Sequence, residues 1–163
     1  MARHVFYSFH YVPDNWRVSQ IRNIGSLDGN KAAHDNDWET VTKAGDAAIQ
    51  RWIQTQMKGR SCTLVLIGAQ TAGRKWINYE ITESWKAGKG VAGIHIHKLL
   101  DRHQRPATKG ANPFSGFTLS NQQFDQIVRA YDPPGYDSKS VYRWIADNVT
   151  AIIDEALAIR SRY

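Results

Sequence analysis

Residues 62–67 read Cys-Thr-Leu-Val-Leu-Ile and are followed by Gly68, which makes them a short, continuous apolar run. Such a run is typical of a strand that is buried on both faces, as strands in parallel sheets are. The apolar spacing after it predicts an amphipathic helix over residues 74–87, and a second strand follows at Val91–His97. Because strand, helix and strand in this order form a parallel crossover unit, this stretch predicts an α/β fold.

The rest of the chain continues the same alternation of strands and helices. Before the central unit, we predict a strand at 3–11 closed by Pro13-Asp14, a short helix at 16–24, a polar stretch at 26–39 with a possible short strand at Lys31–His34, and a helix between Gly45 and Gly59. After the central unit, we predict an irregular connection at 98–122, a weak strand at 124–131 and a helix from Ser138. We therefore expect a doubly wound, mainly parallel sheet with helices on both faces.

Composition narrows the class of protein. The chain has 163 residues, 42% of them hydrophobic, which excludes a disordered or fibrous protein. A single cysteine, Cys62, excludes a disulfide scaffold and a multi-cysteine zinc site, and we expect it to be a small core residue. No apolar run approaches the roughly 18 residues of a membrane span, and residues 1–10 lack the apolar stretch of a signal peptide. We predict a cytoplasmic protein that does not bind membranes.

The positive charge has two possible uses. A formal net charge of +6 and a pI near 9.5 suggest nucleic-acid binding, which would show as retention of DNA or RNA with a steep salt dependence. The lysines and arginines are scattered along the chain, however, and the densest stretch is a predicted loop at 98–109. A scattered basic surface argues against a nucleic-acid footprint and fits a small anionic ligand such as a dinucleotide better.

Glutamate is scarce, so the possible catalytic carboxylates are few. The four glutamates are Glu39, Glu80, Glu83 and Glu155. In the predicted 74–87 helix, Ile77, Ile81 and Trp85 define the packed face, Trp76 and Glu80 share a stripe beside it, and Glu83 lies further away. Glu80 is therefore expected to be half-buried near the carboxyl ends of the strands, where α/β proteins bind ligands. A boundary glutamate in a salt bridge is the alternative.

Other kinds of site have weak support. No Gly-x-Gly-x-x-Gly follows the first strand and no Walker A sequence is present, which argues against hydride transfer and P-loop chemistry. His95 and His97 share one side of a strand and His103 follows, but zinc needs three or four converging ligands, so we predict no metal site. A Ser-His-Asp triad lacks a serine in a nucleophile-elbow context.

Several of these segments together resemble a known family. Val5-Phe-Tyr-Ser-Phe9 is similar to the first box of TIR domains, and Trp76-Ile-Asn-Tyr-Glu80-Ile81 is similar to their Trp-x-x-x-Glu-Leu stretch. The match is strongest with the TIR-like proteins of bacterial Thoeris-type antiphage defence. Their shared motifs correspond here to Val5–Tyr11, Gly68–Ile81, Gly93–Ile96 and Gly110–Phe114. The resemblance implies that residues 1–163 form a single TIR-like domain with a flavodoxin-like sheet.

The resemblance also implies an activity. Relatives of this kind cleave NAD+ at the nicotinamide–ribose bond and rejoin the product into a cyclic or conjugated ADP-ribose signal that activates a separate effector protein. NAD+ would thus be a substrate, with no cofactor needed, and a phage-derived trigger could control the enzyme. The alternative implied by other TIR domains is a non-catalytic interaction or nucleotide-sensing module.

By the same resemblance, the family's functional positions fall on eight residues of this chain. Glu80 would be the catalytic residue, and the expected substrate-binding residues are Phe6, Ser8, His10, Tyr11, Thr71, Arg74 and Trp76. Simple core packing is the alternative for Phe6 and Trp76. The chain departs from animal and plant TIR domains at Asn30–Trp38, where their long binding loop lies, and at 98–122, where a loop replaces a helix. These departures remove any inference about TIR–TIR assembly surfaces.

Overall fold

The computed structural model describes residues 2–30 and 40–163, which form a layered α/β structure. The strands are β1 (Arg3–Ser8), β2 (Leu27–Gly29), β3 (Cys62–Ile67), β4 (Gly90–His95), β5 (Thr118–Leu119), β6 (Gln122–Gln123) and β7 (Ala130–Tyr131). The longer helices are α1 (Tyr11–Arg22), α2 (Asp46–Met57), α3 (Lys75–Lys86) and α4 (Ser138–Arg160). The possible strand at Lys31–His34, most of the Asn30–Trp38 segment and Glu39 lie outside the described residues.

Five strands form one sheet in the order β2-β1-β3-β4-β7, and every pair in it is parallel. β5 and β6 form a separate antiparallel hairpin. The predicted parallel, doubly wound sheet is therefore confirmed, and its strand order is that of flavodoxin-like folds. The central strands β3 and β4 are buried along their whole length, which explains why the apolar run at 62–67 is continuous rather than alternating.

Helices cover both faces of the sheet. One face packs Val5 and Tyr7 of β1 against α1 and α4. The other packs Phe6 against Ile49 and Ile53 of α2, and Val65 and Ile67 of β3 against α3. Alternate residues of each strand thus enter different cores, because successive side chains of a strand point to opposite faces.

The first strand is shorter than predicted, and the helix after it begins earlier. β1 ends at Ser8 and α1 begins at Tyr11, so Pro13 lies in the first helical turn instead of closing a strand. Proline fits there because the amide groups of the first turn have no partner within the helix. The periodicity of α1 misleads because Asp14 and Arg17 are buried, whereas Val12 is exposed.

The connection between β4 and β7 also differs in detail. All of its residues are described and none is α-helical, as the sequence predicted, but it contains the β5–β6 hairpin. The predicted strand at 124–131 is wrong over its first part, where Phe124–Gln126 form a 3₁₀ turn. Phe124, Ile127 and Val128 are buried with the spacing of a helical turn, so they cannot alternate as a strand requires. No helix within the described ranges is long and apolar enough to cross a membrane.

Candidate active site

A deep cavity opens at the carboxyl edge of the sheet, where β1 and β3 lie side by side. The helices that follow these two strands, α1 and α3, cover opposite faces of the sheet, so the loops leading to them separate. A crevice at such a switch in direction is where open α/β sheets bind ligands. Here the crevice holds a cavity of about 600 Å³.

Six of the eight predicted site residues line this cavity: Phe6, His10, Tyr11, Arg74, Trp76 and Glu80. They come from the end of β1, the start of α1 and the start of α3. Tyr7, Phe9, Arg22, Asn30, Trp52 and Lys75 are among the further lining residues, and none of these was singled out from the sequence. Ser8 and Thr71 are not part of the lining.

Glu80 lies in the buried stripe of α3. Ile77, Glu80, Ile81 and Ser84 are the buried residues of this helix, at the spacing of one helical face. The prediction placed Glu80 beside the packed face and half-buried, whereas only 9% of the residue is exposed. The Ser84 hydroxyl fixes this part of the helix, because its Oγ donates to the Glu80 carbonyl oxygen at 2.6 Å and lies 2.6 Å from Thr63 Oγ1 on β3.

Burial dominates the electrostatics of Glu80. Loss of solvent raises the pKa of its carboxyl from 4.5 to about 8, because the charged form loses its hydration. The Ser8 hydroxyl opposes this shift and lowers the pKa somewhat. Their geometry falls short of a hydrogen bond, since Ser8 Oγ and Glu80 Oε2 are both buried and lack a hydrogen-bond partner among residues 2–30 and 40–163. Glu80 also forms no ion pair within those ranges, so the salt-bridge alternative has no support there.

The other described glutamates have ordinary surface partners. Glu83 is three residues further along α3, does not line the cavity and lies 3.9 Å from the Lys86 ammonium. Glu155 accepts a hydrogen bond from the Tyr131 hydroxyl at 2.6 Å and pairs with Arg129 at 3.3 Å. Among the described glutamates, Glu80 is thus the one that is buried and has no ion-pair partner there.

Thr71 has a structural role in this arrangement. Its fully buried hydroxyl accepts a hydrogen bond from the Gly68 amide at 2.8 Å, which holds the turn after β3. Gly68 itself has no room for a side chain, because a Cβ there would lie 2.0 Å from Asp14 Oδ2. Thr71 does not line the cavity, so its role in substrate binding stays a prediction.

Phe6 and Trp76 combine packing with exposure to the cavity. Phe6 is almost fully buried and packs on Ile49 and Ile53, yet part of it reaches the cavity. Trp76 is partly buried and meets the Tyr79 ring edge to face, with ring centroids 5.6 Å apart. Core packing and a place on the cavity wall are therefore compatible for both residues.

His10 and Arg74 approach each other across the loops that border the cavity. Burial lowers the pKa of His10, and the Arg74 cation lowers it further. The imidazole is therefore biased toward its neutral form, which can accept or donate a hydrogen bond. Arg74 is the N-cap of α3 and is exposed, so it can approach an anionic ligand.

The histidine pair at the end of β4 has no third metal ligand beside it among residues 2–30 and 40–163. His95 and His97 are buried with ring centroids 5.9 Å apart, and burial is the largest of the effects that lower the pKa of each. His103 lies in the following loop and is exposed. Within the described ranges, no group of three or more histidine, cysteine or acidic side chains could hold a metal ion. Cys62 is a buried free thiol, as predicted.

In the described part of the chain, the cavity thus places one enclosed carboxyl, that of Glu80, among aromatic and cationic side chains. It can hold a ligand with aromatic rings and negative charge, and it can present one carboxylate to a centre that becomes positive.

Comparison with known proteins agrees with this arrangement. A model of the family "Thoeris protein ThsB, TIR-like domain" matches residues 6–101, which include the whole stretch from Phe6 to Glu80. A curated relative from Bacillus cereus (strain MSX-D12), named "Putative cyclic ADP-D-ribose synthase ThsB1", is 39% identical over 119 residues. That alignment covers 70% of this chain and 62% of the relative. The resemblance drawn from the motifs is confirmed, and the chain belongs to the Thoeris ThsB family of TIR-like proteins.

Proposed function

We propose that this protein cleaves NAD+ at the nicotinamide–ribose bond, with Glu80 as the catalytic residue. The observation that carries the proposal is the position of Glu80, which lies at the wall of the 600 Å³ cavity without an ion-pair partner in the described part of the chain. A buried carboxyl with a strongly raised pKa in a crevice is a common mark of a reactive group. The printed name of the Bacillus cereus relative supports ADP-ribose chemistry.

One carboxylate suffices for this reaction. Ordinary glycosidases use a second carboxyl group to protonate a poor leaving group. In NAD+ the leaving group is a cationic pyridinium, so the bonding electron pair passes to its nitrogen and nicotinamide leaves neutral, without a proton. The remaining ribose is oxocarbenium-like, and the Glu80 carboxylate would stabilise its positive charge and accept hydrogen bonds from its hydroxyl groups.

The raised pKa of Glu80 means that its carboxyl group would ionise mainly when substrate is bound. With a pKa of about 8, the empty site holds mostly the neutral acid at pH 7. A pyridinium cation placed beside it favours the charged form, because an opposite charge lowers the pKa of a carboxyl. Substrate binding would therefore help to generate the carboxylate that the chemistry needs.

The product would be a cyclic or conjugated ADP-ribose nucleotide. A hydroxyl group of the same molecule for a cyclic product, or of a second molecule for a conjugated one, would attack the ribose carbon in place of water and lose its proton to the Glu80 carboxylate or to solvent. The enclosed aromatic walls would favour this outcome by limiting water. We propose that the nucleotide activates a separate effector protein in antiphage defence and that a phage-derived trigger controls the enzyme.

NAD+ consumption and product mass test the proposal. Wild-type protein, with and without lysate from phage-infected cells, is compared with Glu80→Gln and with Glu83→Gln, a matched control on the same helix. We expect Glu80→Gln to lose at least about a thousandfold in turnover with its fold intact, and Glu83→Gln to stay within threefold of wild type. Undiminished turnover in Glu80→Gln would contradict the proposal. Absence of NAD+ consumption by triggered wild-type protein would favour the alternative of a non-catalytic nucleotide-sensing module.

A further inference from the structure

Arg22, in the last turn of α1, lines the same cavity as Glu80 but was not expected there. Its guanidinium lies between two aromatic rings, with Cζ 5.4 Å from the centroid of Tyr7 and 5.6 Å from that of Phe9. The Tyr7 ring is itself fixed, because it fills the space where a side chain on Gly29 would stand. The two rings therefore hold the guanidinium in a defined place.

The guanidinium is not satisfied by the described protein. Nε and Nη1 of Arg22 are buried and have no hydrogen-bond partner among residues 2–30 and 40–163. Within the same residues, no carboxylate pairs with it. A buried cation without an acceptor is costly, since it has lost its hydration and gained no partner.

Arg17 on the same helix shows what a structural arginine looks like in this protein. Its nitrogens donate to the Asp14 carboxylate and to the backbone carbonyls of Pro13, Leu99 and Arg105. Arg17 thus has acceptors around most of its guanidinium. Arg22, by contrast, lies against the Tyr7 and Phe9 rings and lines the cavity, and its Nε and Nη1 are buried without a partner among the described residues.

We propose that Arg22 binds the diphosphate of the nucleotide substrate, an inference that rests on the proposed function. The guanidinium would donate charge-assisted hydrogen bonds to a phosphate oxygen, and the anion would compensate the enclosed positive charge. Glu80 and Arg22 lie on different elements around one cavity, so the substrate would place its reacting ribose near the carboxyl and its phosphates near the guanidinium.

The direct test is the binding of ADP-ribose, measured by titration calorimetry, which needs no turnover. We compare wild-type protein with Arg22→Met, which keeps an apolar stem between the rings, and with Arg22→Gln. Arg102→Gln, in the exposed loop after β4, is the matched control. We expect Arg22→Met and Arg22→Gln to weaken binding about tenfold or more, and Arg102→Gln to stay within twofold.

Salt dependence separates a charge contact from a change of cavity shape. Raising NaCl from about 50 to 500 mM should weaken ADP-ribose binding to wild-type protein more than binding to Arg22→Met. Salt screens the contact between the Arg22 guanidinium and the phosphate, and only the wild-type protein has that contact. If Arg22→Met fails to fold, Arg22→Gln decides by the same criteria.

Three results would overturn the inference: wild-type protein that does not bind ADP-ribose, folded Arg22 variants that bind within twofold of wild type, or equal salt dependence in variant and wild type. Failure of the proposed function would look different. In that case ADP-ribose binding and its dependence on Arg22 would persist, while triggered protein would leave NAD+ intact.

Discussion

Two buried carboxyl groups, Asp14 and Glu80, lie near the carboxyl edge of the same sheet and have opposite surroundings. Asp14 stands in the first turn of α1, and its Oδ1 accepts a hydrogen bond from Arg17 Nη1 at 3.0 Å. Glu80 stands in the second turn of α3, has no cation partner among the described residues and faces the cavity. Burial raises the pKa of both, but at Asp14 the Arg17 cation opposes the shift.

This difference distinguishes a carboxyl group that stabilises the fold from one that is available to a ligand. The Asp14–Arg17 pair ties α1 to the loop after β4, because Arg17 also donates to the Leu99 and Arg105 carbonyl oxygens at 2.7 and 2.9 Å. The Glu80 carboxyl group pairs with no cation of residues 2–30 or 40–163, and its buried Oε2 has no hydrogen-bond partner there. The contacts of α3 around it come from Ile77, Ile81 and the Ser84 hydroxyl.

Removing Arg17 should give the largest loss of stability in this comparison. Arg17→Met leaves Asp14 buried without its cation and frees the loop carbonyls, so we expect the free energy of unfolding to fall by about 3–5 kcal/mol. In a chain of this size that corresponds to a melting temperature lower by roughly 10 °C. Thermal unfolding measures it, with Arg102→Gln as the exposed-arginine control. Unchanged stability would show that the Arg17 cation does not stabilise buried Asp14, which would contradict the contrast with Glu80.

Glu80→Gln should change stability in the opposite direction, by an amount that grows as the pH rises above about 4.5. The folded state disfavours the charged carboxyl, so the wild-type protein loses stability as the pH rises from about 4.5, the unfolded value, through about 8, the folded value. Glutamine carries no charge and avoids this loss.

We therefore expect the two proteins to melt at nearly the same temperature at pH 4.5 or below, and Glu80→Gln to melt roughly 10 °C higher at pH 9. Scanning calorimetry over this pH range, with Glu83→Gln as the control, provides the check. A variant that is less stable than wild type at pH 9 would mean that the Glu80 carboxylate has a stabilising partner.

Ser8→Ala should have the smallest effect, because its hydroxyl only moderates the pKa of Glu80. Losing it removes the one influence that lowers this pKa, so a smaller fraction of Glu80 is ionised at pH 7. We expect kcat/KM for NAD+ to fall about two- to fivefold at pH 7 and to recover at pH 9. The exposed Ser19→Ala serves as the control. An equal loss at both pH values would assign Ser8 a role other than tuning the carboxyl group.

Much of this comparison was accessible from the sequence, because α3 and β3 follow ordinary patterns. The continuous apolar run at 62–67 predicted a central parallel strand, and the helical stripe of α3 singled out Glu80. The depth of burial was underestimated because the buried stripe of this helix includes Glu80 and Ser84 and leaves Trp85 only partly buried.

The α1 side was harder to predict because its contacts are not local. Burial of Asp14 and Arg17 depends on carbonyl groups more than eighty residues away, which no periodicity reveals. Phe9 and Asn30 could have been suspected from their positions just after strands. Arg22 could not, since its side chain extends from the end of a helix back to rings on and just after β1.

The pH profile of kcat/KM for NAD+ tests most directly whether the enclosed Glu80 carboxylate performs the chemistry. Because free enzyme must lose a proton from a group with a pKa of about 8, kcat/KM should rise nearly tenfold per pH unit from pH 6 to 8 and level off above. Glu80→Gln should show no such rise at its residual rate. A wild-type profile that is flat from pH 6 to 9 would contradict the account.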